Sequence, residues 1–197
     1  DMGAVNMKAL EIYDKVEEEY NKLLSKRDKL GEEKGDVLSL IDEIEIKKKD
    51  KFLETFEVIN NNFKDIFKNI STKGEAFLKL DNPESPFDDG VRVLVRLSGT
   101  KFMDIRSLSG GEKTMTALAF IFAIQEHDPH SFYVLDEVDA ALDKRNAETL
   151  ARLIKQYVSR AQYVVISHND AMISEADNLY GVSMNEHGMT AVTSIKL

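Results

Sequence analysis

The sequence has 197 residues, of which 43% are hydrophobic and 31% are charged, and its formal net charge is −9. This composition predicts a globular chain of one or two domains with enough apolar material for a core. The absence of cysteine excludes disulfides and thiolate metal sites and fits a reducing cytoplasm. The acidic charge excludes an overall basic footprint for nucleic acid, so any DNA contact is expected to be local. No apolar run approaches the roughly 20 residues of a membrane span.

Residues 1–50 are predicted to form a coiled-coil arm. Apolar side chains recur every seven residues in one register and less strictly in a second, which is the pattern of a coiled-coil seam. The first register consists of Val16, Leu23, Leu30, Val37 and Ile44. Gly31 and Gly35 interrupt it, and we expect a weak point there because each costs about 1 kcal/mol relative to alanine. One helix cannot bury its own seam, so its partner must come from outside this chain.

Residues 51–197 are predicted to form an α/β lobe. The helical periodicity continues to Ile70, and its more aromatic character over residues 52–70 favours packing on a domain. The elements predicted next are strands EAFLKL and VRVLVRL, a helix from about Glu112 to Gln125, a buried strand FYVLDE, a helix from about Lys144 to Val158, a buried strand QYVVIS, a short helix, and strands NLYGVSM and TAVTSIKL. The buried strand–helix–strand unit predicts parallel pairing through a crossover.

The segment SLSGGEK, residues 107–113, opens the first helix of the lobe with two adjacent glycines. Ser109 and Glu112 fit a capping box, which accounts for those two residues. The glycines need another reason, because two of them in a first turn cost roughly 1–2 kcal/mol. Gly110 and Gly111 allow a close approach to the backbone, and the bare N–H groups of a helix N-terminus attract anions. The pattern therefore favours a phosphate contact.

Acidic residues and a histidine follow the two buried strands. Asp136 and Glu137 come directly after the first strand, and His168 comes after the second. In a parallel sheet these side chains are expected at one edge, where ligands of open α/β sheets bind. One carboxylate there can hold Mg²⁺ and the next can deprotonate an attacking water, or both can be turn residues. Asp143 can simply be the N-cap of the next helix.

A nucleotide site in this chain would be incomplete. No segment matches G-x-x-x-x-G-K-[ST], the loop whose lysine reaches the β- and γ-phosphates. The sequence thus contains a candidate metal ligand, a candidate base and an anion-binding helix start, but no primary phosphate loop. We expect other polypeptide to complete the site.

Taken together, these motifs resemble those of the C-terminal head segment of SMC (structural maintenance of chromosomes) proteins, which are ABC-type ATPases. LSGGEK is similar to the ABC signature motif, FYVLDEVDAALD to the Walker B and D-loop run, and ISHN to the switch region. GAVNMKALEIYDKVEEEY is similar to the start of the returning coil. The resemblance implies an α/β fold, the C-terminal lobe of an ABC-type ATPase head, with a parallel sheet core and flanking helices preceded by a coiled-coil helix.

The resemblance also implies roles for single residues, with ATP and Mg²⁺ as cofactors. Asp136 would be the Mg²⁺ ligand, Glu137 the general base, and His168 would contact the γ-phosphate in the same head. The implied nucleotide-binding residues of the signature and D-loop segments are Leu108, Ser109, Gly110, Gly111, Lys113 and Asp143. Of these, the serine and the two glycines would face the γ-phosphate bound to the opposite head, and Asp143 would lie at the interface.

The implied partners are the N-terminal lobe of the same protein, a second SMC head in a homodimer, the C-terminal winged-helix domain of a kleisin subunit, and DNA, with no membrane contact. The implied activity is ATP-dependent head dimerisation and hydrolysis that drives chromosome condensation and segregation in the cytoplasm, on the nucleoid. This chain alone would be inactive. The alternatives are a DNA-repair SMC-like ATPase and a non-catalytic structural head that binds kleisin or DNA.

Overall fold

The computed structural model describes residues 7–71, 74–97 and 99–196, with side chains from residue 12 onward. Residues 1–6 of the predicted arm and Leu197 of the last predicted strand lie outside the described residues. The chain divides into two compact units, Asp1–Leu53 and Glu54–Leu197, which we call the arm and the lobe. None of the described helices combines the length and the apolar character that a bilayer span requires.

The arm is the N-terminal part of helix α1 (Met7–Ile70). The helix continues through Gly31 and Gly35, where an added Cβ would meet nothing within 4 Å, so the weakness expected there does not take the form of a break. All five residues of the predicted first register are more than half exposed. Pairing of this seam with a second helix therefore stays a prediction.

The lobe contains the C-terminal end of α1 and nearly every element that the sequence predicts. Its further elements are β1 (Glu75–Leu80), β2 (Val91–Arg96), β3 (Met103–Asp104), a 3-10 turn (Ile105–Ser107), α2 (Gly110–His127), β4 (Phe132–Asp136), α3 (Lys144–Tyr157), β5 (Gln162–Ile166), α4 (Asp170–Ser174), β6 (Asn178–Met184) and β7 (Thr190–Lys196). Sequence reasoning missed the two-residue strand β3. It also began α2 two residues late, because both glycines belong to the helix.

The strands form three small sheets among the described residues. β1, β2 and β3 are antiparallel in that order, β4 and β5 are parallel, and β6 and β7 form an antiparallel hairpin. In the parallel pair, Val134 lies opposite Val164 and Asp136 lies opposite Ile166. The predicted parallel strand–helix–strand unit is therefore present as β4–α3–β5.

The core of the lobe packs the end of α1 against the other helices and strands. Phe63, Phe67, Phe122 and Leu150 are fully buried, and Phe63 meets Phe120 edge to face with ring centroids 5.9 Å apart. Aromatic side chains contribute the most apolar area per residue to a core. The aromatic end of the first helix thus packs on the lobe, as the sequence predicts.

The prediction that β4 and β5 are buried strands is correct for one face of each strand and wrong for the other. Leu135 is buried and Tyr163 packs on the core, but Phe132, Val134, Val164 and Ile166 are 64%, 58%, 46% and 49% exposed. Side chains alternate between the two faces of a strand, so these four residues share one face, which we call the open face. The physical reason is that the strands are apolar on both faces while the described chain covers just one of them.

The two glycines of α2 have different surroundings. A Cβ at Gly110 would meet no atom within 4 Å, whereas a Cβ at Gly111 would lie 3.1 Å from the carbonyl oxygen of Ala141, in the loop after β4. At Gly111 the group that approaches the backbone is therefore part of this chain. The explanation by a phosphate contact is needed for Gly110 alone.

We expect Gly111→Ala to be less stable than Gly110→Ala by about 1–3 kcal/mol, the usual cost of overpacking. Both variants gain the same helix propensity, so the difference isolates the contact with Ala141. Urea unfolding of the two variants beside the unmodified protein measures it. Equal free energies of unfolding would show that the loop after β4 does not restrain this helix start.

Candidate functional site

The carboxyl ends of β4 and β5 bring two of the predicted side chains into contact. Glu137 follows β4, His168 lies two residues beyond the end of β5, and the Nε2 atom of His168 is 3.2 Å from an Oε1 atom of Glu137. Both side chains are accessible, with 54% of the glutamate and 84% of the histidine exposed. An acid and an imidazole in contact at an exposed sheet edge are suited to bind a ligand and transfer a proton.

The backbone of Glu137 is strained. Its φ of 47° lies in the left-handed region, which costs a residue other than glycine on the order of 1–3 kcal/mol. Two hydrogen bonds hold this conformation: the N–H donates to the carbonyl of Ile166 at 2.9 Å, and its own carbonyl accepts from the N–H of Ala140 at 3.1 Å. The parallel strand β5 therefore fixes the turn that presents the Glu137 side chain.

A second contact between the two strand ends was missed by sequence reasoning. The Ser167 hydroxyl donates to the carboxylate of Asp139 at 2.6 Å. The Ser167 hydroxyl oxygen also accepts a hydrogen bond from the N–H of Asn169 at 2.9 Å. Asp139 is the one charged residue that is buried among those the structure describes, with 6% exposed. The signal available in the sequence was a second acid two residues after Glu137 and a serine directly before His168.

The two loops enclose a small cleft of about 230 Å³. It is lined by Glu137, Asp139, Ala140, Leu142, His168 and Asn169. Ligand pockets for small molecules usually measure about 300–1,000 Å³. The cleft is therefore sized for one end of a ligand.

Asp136 lies at the end of β4 and is exposed, on the same strand face as Val134. Within residues 7–71, 74–97 and 99–196 no cluster of three or more metal-ligating side chains occurs. Magnesium is commonly held by one or two carboxylates together with phosphates and water. The single carboxylate of Asp136 fits an ion of that kind and does not fit an all-protein metal cage.

In the described chain, the signature segment, residues 107–113, forms its hydrogen bonds with nearby residues and not with Glu137 or His168. The carboxylate of Glu112 accepts from the hydroxyl and the N–H of Ser109, at 2.7 and 2.8 Å, and these bonds lower the pKa of Glu112. The predicted capping box is thus largely confirmed. Lys113 is exposed, while Leu108 is buried in the core, so its side chain is not available to a ligand. In the described chain no hydrogen bond or ion pair links these residues to the Glu137–His168 pair.

Asp143 has a structural role. Its side chain accepts from the N–H of Asn146 at 2.8 Å and so caps the N-terminus of α3. A cap of this type contributes about 1 kcal/mol to stability. The capping explanation is confirmed, and a position at an interface between heads remains a prediction.

Comparison with known proteins places these features in a family. The family model described as RecF/RecN/SMC N terminal domain matches residues 9–191. The chromosome partition protein Smc of Pyrococcus furiosus is 46% identical over 193 residues, which cover 98% of this chain and 16% of that protein. The chain thus spans about a sixth of the length of this relative. The wording of the family model names an N-terminal domain, so the match does not confirm the expected C-terminal position.

Solved structures give the same result for the fold. The Smc head domain of Pyrococcus furiosus, with an extended coiled coil and bound to the C-terminal domain of ScpA, has a TM-score of 0.80 at 43% identity and covers 96% of this chain and 47% of that one. A structure from work on ATP-driven dimerization and DNA-stimulated activation of SMC ATPases has a TM-score of 0.70 at 42% identity, covering 75% and 89%. The chain therefore belongs to the RecF/RecN/SMC family, as an α/β segment of an SMC ATPase head.

Proposed function

We propose that this chain is the signature-bearing lobe of the ATPase head of a chromosomal SMC protein, and that it hydrolyses ATP only when the phosphate-loop lobe of the same protein completes it. The observation that carries the proposal is the contact of His168 with Glu137 at the edge of β4 and β5 in a chain without a phosphate loop. The resemblance of the motifs is our support for assigning this lobe to the C-terminal part of the parent protein.

The open face supports the idea of a missing lobe. Burying a side chain such as Val or Phe contributes roughly 1.5–3 kcal/mol, and the open face leaves four apolar side chains in water. Because these side chains are about half exposed, a covering lobe would gain about half of that free energy for each of them. Asp136 follows on the same strand face, so a lobe packed there would bring its phosphate loop beside Asp136, Glu137 and His168.

In this proposal the two acids have separate tasks. Asp136 would be the ligand that this chain provides to Mg²⁺, and the ion would supply positive charge next to the phosphate oxygens. Glu137 orients a water and accepts its proton as the water attacks the γ-phosphate. The Nε2 atom of His168 contacts the Glu137 carboxylate at 3.2 Å, and the ring is proposed to contact the γ-phosphate from the same edge. Residues arranged in this way accelerate hydrolysis by positioning the reacting groups more than by forming covalent intermediates.

The first turn of α2 is proposed to bind the nucleotide of a second head. Gly110 is open to an approaching group, its neighbour Lys113 is exposed, and a helix N-terminus favours phosphate. The Ser109 side chain is held at this helix start by Glu112. Because none of these residues is bonded to Glu137 or His168, they are free to face a different nucleotide. ATP would then join two heads, and hydrolysis would separate them.

The comparisons and the arm support the remaining partners of this proposal. The Smc head of Pyrococcus furiosus was solved with the C-terminal domain of ScpA, which supports a kleisin winged-helix domain as a partner here. The DNA-stimulated activation of SMC ATPases supports DNA as another. The exposed seam of the arm supports antiparallel pairing with a coil of the same protein. The proposed setting is the cytoplasm, on the nucleoid, in chromosome condensation and segregation.

We expect Glu137→Gln in the joined two-lobe head to lower the kcat of ATP hydrolysis by about 10²–10⁴-fold, the usual contribution of a general base. The glutamine keeps the size of the side chain but cannot accept the proton. Glu186→Gln, a change at an exposed turn of the β6–β7 hairpin, is the matched control and should leave kcat unchanged. Steady-state phosphate release measures both variants.

Three results of that assay would contradict the proposal in different ways. No turnover by the unmodified joined head would reject the ATPase function. Normal turnover by Glu137→Gln would remove Glu137 as the base. Turnover by the purified 197-residue chain alone would show that the site needs no second lobe.

We also expect Ser109→Arg to block ATP-dependent pairing of joined heads while nucleotide binding to each head persists. The bulky cation would occupy the space in front of Gly110, where the phosphate of the second head is proposed to lie. Ser159→Arg, an exposed change just beyond the C-terminal end of α3, is the control. Light scattering with ATP in the Glu137→Gln background measures pairing, and survival of the dimer in Ser109→Arg would exclude the role in trans.

A further inference from the structure

We propose that Asp139 and Ser167 are positioning residues for hydrolysis. Their hydrogen bond ties the loop after β4 to the loop after β5 and so holds His168 against Glu137. The proposal rests on the proposed function, because it assigns these two residues to the same reaction. Asp139 lines the cleft, but its carboxylate accepts the hydrogen bond of Ser167 and does not touch the reacting atoms in this proposal, so neither residue is a catalytic residue.

The hydrogen bond between Ser167 and Asp139 has the features of a strong one. The distance of 2.6 Å between the Ser167 Oγ and the Asp139 Oδ2 is typical of a hydrogen bond to an ionised carboxylate. Asp139 is buried, and a buried carboxylate that lost its donor would be left poorly solvated. The Ser167 oxygen also accepts from the N–H of Asn169. One hydroxyl therefore links both loops and fixes the residues on either side of His168.

Such a tie is needed because the two side chains it serves are exposed. With 84% of its surface in solvent, the His168 ring is held by little packing, and its position depends on the backbone of Ser167 and Asn169. Glu137 lies two residues before Asp139 in a strained left-handed conformation that would relax if the loop were released. A misplacement of about 1 Å in such a site can cost about 10²-fold in rate.

The alternative is that the bond only stabilises the lobe. The bond between the Tyr163 hydroxyl and Gln125, at 2.8 Å, is a matched control, since it also joins a hydroxyl to a partly or fully buried polar side chain of the lobe. If stability alone mattered, Tyr163→Phe and Ser167→Ala would affect turnover alike once both proteins are shown to be folded.

The test uses the full-length protein and steady-state ATP hydrolysis. Ser167→Ala is expected to lower kcat by about 10- to 100-fold, with the KM for ATP changed by less than about twofold, because binding does not depend on the tie. Ser167→Thr keeps the hydroxyl and should restore most of kcat. Ser167→Cys is nearly the same size but a weak donor, and it should behave like alanine. Tyr163→Phe should keep the original kcat.

A double-mutant cycle tests whether Asp139 and Ser167 act on kcat through the hydrogen bond that they share. Asp139→Ala and Ser167→Ala are expected to lower kcat by similar factors, and the double variant to be no slower than the slower single one, because each change breaks the same bond. Asp139→Asn retains an acceptor oxygen and should keep more activity than Asp139→Ala. Thermal unfolding identifies any variant that fails to fold. If an alanine variant fails to fold, the kcat values of Ser167→Cys and Asp139→Asn decide whether the positioning role holds.

The outcomes distinguish this inference from the proposed function. Unchanged kcat in folded Ser167→Ala and Ser167→Cys, losses that multiply in the cycle, or an equal loss in Tyr163→Phe would each overturn the positioning role while leaving Glu137 as the base. An unmodified protein without turnover would reject the proposed function and the positioning role with it.

Discussion

The parallel pairing of β4 with β5 is the constraint on which the other features of the lobe depend. In-register pairing from Phe132 opposite Gln162 to Asp136 opposite Ile166 makes both strands end at the same edge. The residues that follow, Glu137 and His168, are 31 positions apart in the sequence and meet there at 3.2 Å. An antiparallel pair would place the histidine at the other end of the sheet. The same pairing supplies the carbonyl that holds the strained backbone of Glu137.

The exposed apolar surfaces of the described chain indicate that it associates with other polypeptide. The open face of β4 and β5, the seam of the arm and most of the β6–β7 hairpin are exposed. Isolated exposed apolar side chains are ordinary, but continuous ones on a regular element mark surfaces that associate. The open face adjoins the edge with the acids and the histidine. In the proposed function, the open face and the absence of a phosphate loop have one explanation, a second lobe that contributes both a cover and a phosphate site.

Much of this arrangement could be predicted from the sequence because it depends on local pattern. The helices and strands, the parallel pair and the contact of Ser109 with Glu112 all follow from periodicity, capping chemistry and chain order. The rest depends on tertiary contacts that no local pattern encodes. An apolar run cannot distinguish burial on one face from burial on two, so β4 and β5 were expected to be buried. The approach of the Ala141 carbonyl to Gly111 and the bond of Ser167 to Asp139 join distant segments, and both were missed.

The most direct test of the central claim is a crystal structure of the two joined lobes with Mg²⁺ and a non-hydrolysable ATP analogue. The account predicts that the second lobe buries the open face, that Asp136 lies next to the metal, and that Glu137 and His168 lie within hydrogen-bond reach of the γ-phosphate or its water. It would be contradicted by a nucleotide bound away from the carboxyl edge of β4 and β5, or by an open face that stays in solvent when both lobes are present.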